Sequence, residues 1–323
     1  MPMRFLAAIA TATMTLAATQ AWSQDYPAKP IRILVPFAPG GFVDTAARIV
    51  GQKLGERWGQ QVIVENRPGG NGFIAVLAAA KAPADGYTLL MAHTGEFVVN
   101  PAVFPNAPYD FERDFRPITL INDAPIAWVV NNNAPYKTMQ DLLAAAKATP
   151  NKIGASSPGN GSINHLVMEW MGLTHGSKFL HVPYKGGAPA MAATAGGEVP
   201  AGIAALSSAM PHMQSGRVRA LALTTAERTP AFKDIPTLKE LGVKEVEASI
   251  WVGLFAPKNV PQPIADKIYG EVAKILELPD VKARFAAGGG VTGGMKPAEF
   301  TAKIKRESTS AKKVVVEAKI KAE

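Results

Sequence analysis

The chain has 323 residues, no cysteine and a net charge of +8, from 34 basic and 26 acidic residues. Disulfide scaffolding and thiolate chemistry are therefore excluded, and the length is ample for two domains. The basic excess is scattered, with no basic stretch interleaved with stacking aromatics, so no nucleic-acid partner is expected. Much of it falls in residues 296–323, where lysines alternate with glutamates as on the solvated face of a terminal helix.

Arg4 precedes an apolar, alanine-rich run of about 14 residues, and Ala21-Trp22-Ser23 offers small residues at both specificity positions of a cleavage site. A spanning helix needs roughly 20 apolar residues, so residues 1–23 read as a cleaved export signal and the mature chain as soluble. Residues 31–35 read as a buried strand, stopped by Pro36 and opened by Pro39-Gly40-Gly41. Asp44 is placed to cap a helix to about Trp58, with Ala46, Ala47, Val50 and Leu54 on one face. A strand at 61–65, an alanine-rich helix to about Lys81 and a strand at 87–91 follow.

A second unit repeats this grammar. A strand at 126–130 precedes a helix at 139–148, where Thr138 and Asp141 have capping-box spacing. A strand at 152–156 leads to a helix at 162–171, and a strand at 178–182 to a helix with Pro189 in its first turn. Strands at 219–224 and 249–256 and helices at 263–276 and from 297 onward complete the pattern. Alternating strands and helices argue for an α/β fold with largely parallel sheets. Two such units joined by two extended crossings leave a cleft, with residues 24–123 plus 245–323 in domain I and 124–244 in domain II. Trp128, Trp170 and Trp251 have apolar neighbours and read as packing residues.

Three glycine-rich loops lie between a strand and a helix: Val35-Pro36-Phe37-Ala38-Pro39-Gly40-Gly41, Ser156-Ser157-Pro158-Gly159-Asn160-Gly161-Ser162 and Val182-Pro183-Tyr184-Lys185-Gly186-Gly187. A helix start exposes unpaired N–H groups and the positive end of its dipole, so it attracts carboxylate or phosphate. One such loop is most simply a tight turn. Three in one exported chain point to capture of a small organic anion. Catalytic patterns are weak by comparison. Ser162 and His165 lack a Gly-x-Ser-x-Gly elbow and an orienting third group. Gly70-Asn71-Gly72-Phe73-Ile74-Ala75 fits a loose dinucleotide pattern, yet no acid ends a strand at the required distance. The five histidines show no helical i, i+4 pairing for a metal. No cofactor and no catalytic residue are expected.

Taken in order, several segments resemble one family. They are Tyr26-Pro27-Ala28-Lys29-Pro30-Ile31, the first glycine loop with Asp44 and Arg48, Val64-Glu65-Asn66-Arg67-Pro68-Gly69 and Asp85-Gly86-Tyr87-Thr88-Leu89-Leu90. Gly159-Asn160-Gly161-Ser162 with His165-Leu166, His181-Val182-Pro183-Tyr184-Lys185-Gly186 and Gly253-Leu254-Phe255-Ala256-Pro257 continue the series. Together they resemble the Bug family, the extracytoplasmic solute receptors of tripartite tricarboxylate transporters. The resemblance implies a two-domain Venus-flytrap protein of the periplasm, monomeric, which binds a carboxylated small molecule and delivers it to a membrane permease. It also implies that the first two loops hold one carboxylate, through Phe37, Gly40, Gly41, Asp44, Ser156, Gly159 and Ser162. His165 follows the second loop, and Tyr184 and Thr94 are expected to face the cleft. Thr94-Gly95-Glu96 departs from the family's usual asparagine-serine pair, which suggests a neutral or amine-bearing distal ligand end. Phe73, Ala75 and Pro200 are further departures. A ligand-presenting sensor and an exported serine hydrolase remain as alternative readings.

Overall fold

The computed structural model describes residues 26–320, apart from Ala38 and Lys244; the expected export signal lies outside these residues. The chain opens with β1 (Ile31–Val35), α1 (Phe42–Trp58), β2 (Val62–Asn66), α2 (Phe73–Ala80) and β3 (Thr88–His93). β1 pairs in parallel with β2 on one side and β3 on the other. The helix α1 begins two residues before Asp44, with Gly41 as its N-cap. Asp44 thus lies inside the first turn and reaches back, its Oδ2 accepting the Gly40 N–H at 2.7 Å. After β3 a π-helical turn (Gly95–Val99) runs into one α-turn (Asn100–Val103).

The strand expected at 126–130 is the far half of a longer one, β4 (Phe115–Asn131). There follow α3 (Met139–Ala148), β5 (Gly154–Ser157), α4 (Ile163–His175), β6 (Leu180–Pro183), α5 (Gly187–Gly196), β7 (Ala201–Ala205), α6 (Leu206–Gln214) and β8 (Val218–Leu223). Thr138 and Asp141 make the expected reciprocal capping box on α3, and the Ser162 hydroxyl caps α4 by accepting the His165 N–H. β5 pairs in parallel with β6 and β7. The chain then returns through β9 (Ser249–Pro257), α7 (Gln262–Leu276), α8 (Pro279–Ala287), β10 (Val291–Thr292) and α9 (Pro297–Glu317).

β4 and β9 are the two crossings. From Phe115 to Pro125, β4 runs antiparallel to β9; from Ile126 to Asn131 it pairs instead with β7 and β8. One continuous strand therefore belongs to two sheets, which are mixed rather than largely parallel: β2-β1-β3 and β6-β5-β7 pair in parallel, whereas β9 meets β3 and β4, and β7 and β8 meet β4, antiparallel. Each sheet is covered on both faces. Alternate residues of β1 and β3 show this: Ile31, Ile33, Leu89 and Met91 pack on α1 and α7, whereas Leu34, Leu90 and Ala92 pack on α2 and α9. In β4, Ile126, Trp128 and Val130 join α3 and α4, while Ala127 and Val129 join α5 and α6.

The basic C-terminal segment has one solvated face and one buried face. Phe300 of α9 is fully buried against Trp251 and Phe255 and lies over Gly253, where a Cβ would come within 2.5 Å of its ring. Phe300→Ala would open a core cavity, and urea unfolding should show a loss of roughly 3–5 kcal/mol.

Candidate functional site

A cavity of about 710 Å³ opens between the two sheets. Its walls are the βα loops at the carboxyl ends of β1, β2 and β3 on one side and of β5, β6 and β7 on the other. This is where open α/β sheets place ligands, because helix starts gather at the carboxyl edge. Phe42 opens α1, Gly72 precedes α2, Ser162 caps α4, Gly187 opens α5, and Ala205, Ser207 and Ser208 form the start of α6. Among the described residues no lysine or arginine lines the cavity; His93 and Glu96 are its ionisable side chains.

Four of the residues expected from sequence form this wall: Phe37, Thr94, Gly159 and Ser162. Phe37 packs against the His93 ring at 4.6 Å between centroids, tilted by 56°. The Thr94 hydroxyl is committed to the crossing strand, donating to the Ser249 carbonyl and accepting the Trp251 N–H. Gly159 has φ +147, and a Cβ there would meet the Tyr184 carbonyl at 3.2 Å, so the second loop needs glycine. The Ser162 hydroxyl donates to the Gly159 carbonyl at 2.8 Å while capping α4.

The others support the wall from behind or lie beside it. Gly40 takes φ +85 and gives its N–H to Asp44. Gly41 is the N-cap of α1. Asp44 is buried, bonded also by Arg48 Nε (2.9 Å) and Asn66 Nδ2 (2.8 Å). Burial opposes its charge, but Arg48, the Gly40 amide and Asn66 together hold its carboxyl below the ordinary range. Ser156 is fully buried with its hydroxyl on Thr194. His165 stacks on His181 at 3.8 Å, its Nδ1 receiving the Gly161 N–H. Tyr184, expected in the cleft, sends its hydroxyl to Glu198.

Sequence reasoning did not single out His93, Asn71, Asn164, Ser207 or Ser208 as cleft residues. His93 ends a strand and meets Glu96 three residues on: Nδ1 lies 2.7 Å from Glu96 Oε2, which also accepts the His93 N–H at 2.9 Å. A contact that short requires one proton between the two atoms. Burial presses the His93 pKa down, but the Glu96 carboxylate outweighs it and raises the pKa above the ordinary value. Asn164, in the first turn of α4, is buried with Nδ2 unpartnered among the described residues. The i, i+3 spacing of His93 and Glu96 was a possible signal, lost because a π-helical turn is not legible in sequence.

Two titrations test this electrostatics. Asp44 has a depressed folded pKa, so its contribution is present above about pH 4, its ordinary value, and lost as pH falls through the folded value. In urea unfolding, Asp44→Asn should cost roughly 1–3 kcal/mol at pH 7, with the gap from wild type closing in acid. His93 has a raised folded pKa. Its stabilisation is complete below about pH 6.5, the ordinary value, and fades as pH rises through the folded value. By NMR its imidazole should titrate above the ordinary value in wild type and lower than wild type in Glu96→Gln, where the carboxylate's pull is lost.

The residues 46–320 match the family described as the tripartite tricarboxylate transporter family receptor. Protein BugT of Bordetella pertussis is 35% identical over 288 residues, covering 88% of each chain. The solved structure of Rhodopseudomonas palustris Rpa4515 with adipate has 32% identity and a TM-score of 0.81, covering 92% of this chain and 99% of that one. The periplasmic binding protein BugD has 31% identity and a TM-score of 0.76, covering 92% and 100%. Among the described residues no helix is long and apolar enough to cross a membrane. The chain belongs to the tripartite tricarboxylate transporter receptor family, periplasmic solute-binding proteins of the Bug type with the two-domain Venus-flytrap fold.

Proposed function

We propose that the chain is a periplasmic receptor that captures a small organic carboxylate in the 710 Å³ cavity and passes it to a membrane permease of the tripartite tricarboxylate type. The observation that carries this reading is the convergence of five helix starts on a cavity that, among the described residues, has no lysine or arginine. One helix start is worth roughly 0.3–1 kcal/mol to an anion. Micromolar binding needs about 8 kcal/mol, so a single end is inadequate and a ligand must engage several together. Bonds to N–H groups already aimed at the cavity demand little reorganisation on binding.

Binding also supplies a reason to close. Residues 24–123 plus 245–323 act as one body and 124–244 as the other, a division supported by the switch of β4 partners between Pro125 and Ile126. A ligand bridging Gly159 and Ser162 on one body and Phe37 on the other favours the closed arrangement by its differential contacts. Residues 1–23 direct export and are removed near Ser23. The resident ligand of Rpa4515, adipate, supports a carboxylate as the solute class.

A hydrolytic role finds no support in the serines of the second glycine loop. Ser162 Oγ is engaged with the backbone, and Ser157, whose hydroxyl is 2.6 Å from His181 Nε2, is fully buried. No solute reaches that serine without opening the fold.

The test is thermal unfolding of refolded mature protein against mono-, di- and aromatic carboxylates. A ligand at 100 times its Kd should add about 2.7 kcal/mol and raise Tm clearly. Ser162→Ala should keep the fold and weaken binding. No shift with any carboxylate, or unchanged affinity in Ser162→Ala, would remove this assignment.

A further inference from the structure

We propose that this cleft selects carboxylates that also carry an N–H or O–H donor, and that Glu96 Oε1 is the acceptor that reads it. The proposal rests on the receptor reading and names its solute class more narrowly. Glu96 is 1% exposed yet forms part of the cavity wall. Its two oxygens are treated differently. Oε2 is held by the His93 amide and imidazole, whereas Oε1 has no hydrogen-bond donor among the described residues. The glycine at 72 leaves Oε1 its place: a Cβ there would come within 2.7 Å of it.

The backbone that carries this carboxylate is held in place. Tyr109 Oη donates to the Glu96 carbonyl at 2.5 Å, and Phe97 beside it is buried in an aromatic cluster with Phe111, Phe115 and Phe255. Among the described residues no lysine or arginine lines the cavity to satisfy Oε1 from the protein. Oε1 therefore faces the cavity with its lone pairs open to a guest, and a ligand that fills the cavity must supply a donor there or leave the acceptor unpaired. A second ligand carboxylate placed against Oε1 would instead set two acceptors and two negative charges face to face. Helix starts draw the first carboxylate elsewhere in the same cavity, which gives the cleft a polarity: anion at one end, donor at the other.

The test is calorimetric titration of the refolded protein with scaffolds of three shapes. Each is offered with a methyl, hydroxyl, ammonium or second carboxylate opposite the first: the butyrate series to succinate, the hexanoate series to adipate, and the para-substituted benzoate series to terephthalate. In the scaffold that binds best, a hydroxyl or ammonium member should bind roughly ten- to a hundredfold tighter than the dicarboxylate and the methyl member. Which of the two wins identifies the donor as neutral or cationic. Glu96→Gln presents an amide in place of the carboxylate and should bring the donor and dicarboxylate members to within about threefold. If that variant does not fold, the wild-type order alone decides. A dicarboxylate or methyl member binding as tightly as the donors would overturn this proposal and leave the receptor reading intact. Binding by none of the series would overturn both.

Discussion

The unsatisfied N–H groups at the first turn of a helix are the constraint on which this molecule depends. A parallel βα unit must put those groups at the carboxyl edge of its sheet, and two such sheets here face each other across one cavity. The chain answers the problem differently at each start. At α1 no side chain caps the start: the Asp44 carboxylate sits in the first turn and accepts the Gly40 amide just outside the helix, its own charge balanced by Arg48 on the next turn. At α4 the neutral hydroxyl of Ser162 serves. The starts of α2, α5 and α6 have no side-chain cap. Uncapped starts thus remain on both walls, and both keep donors for a guest.

Two sheets can face each other in a fixed way only if what joins them is stiff in register and free in angle. β4 and β9 meet both needs. Their antiparallel pairing runs from Phe115 opposite Pro257 to Pro125 opposite Ser249, so neither crossing can slide alone. Register shifts at Pro117/Thr119 and Leu120/Asn122 increase local twist along the way. The C-terminal helix clasps this ribbon from outside. Lys303 of α9 reaches Asp123 of β4 and Glu307, and Glu307 accepts the indole N–H of Trp251 in β9. Burial works against the ammonium, yet the two carboxylates raise its pKa above the ordinary value. Removing one member of such a set leaves the others buried and unpaired, which is far costlier than the net worth of the cluster. The basic tail is therefore tied to both crossing strands, though its composition reads as an ordinary solvated helix.

How legible this was depended on whether the controlling interaction was local. The capping box of Thr138 and Asp141, the Ser162 cap and the apolar face of α1 are short-range and were legible residue by residue. The first half of β4 was not, because Arg116 and Pro117 interrupt the alternation that marks a strand. There the pairing with β9, more than 120 residues away, overrides local preference. The run from Ala201 to Gln214 also escaped notice. Its small residues give neither a period of two nor one of 3.6, so the passage from β7 straight into α6 has no marker. The cleft followed the same rule. Loop glycines announce themselves, but Ser207 and Ser208 reach the wall only because β7 lies next to β4 in the sheet. Tyr184 illustrates the converse: its motif is conspicuous, yet Glu198 holds its hydroxyl.

The His93–Glu96 pair gives the last step, because it sets the cleft's electrostatics against its own background. Helix starts make the cavity positive throughout without adding a mobile charge. Into that field the chain inserts one acid and one imidazole at the end of β3, tied to each other and packed against Phe37. When the imidazole is protonated the pair is neutral as a whole, so the acid costs little by being there and does not cancel the pull on an anion. Its direction survives neutralisation, however: the proton lies on the Oε2 side, and the lone pairs of Oε1 remain unanswered. Charge balance and hydrogen-bond direction are thereby separated on a single residue. Total charge sets how strongly an anion is drawn in, and the orientation of Oε1 sets which end of it is turned toward Glu96.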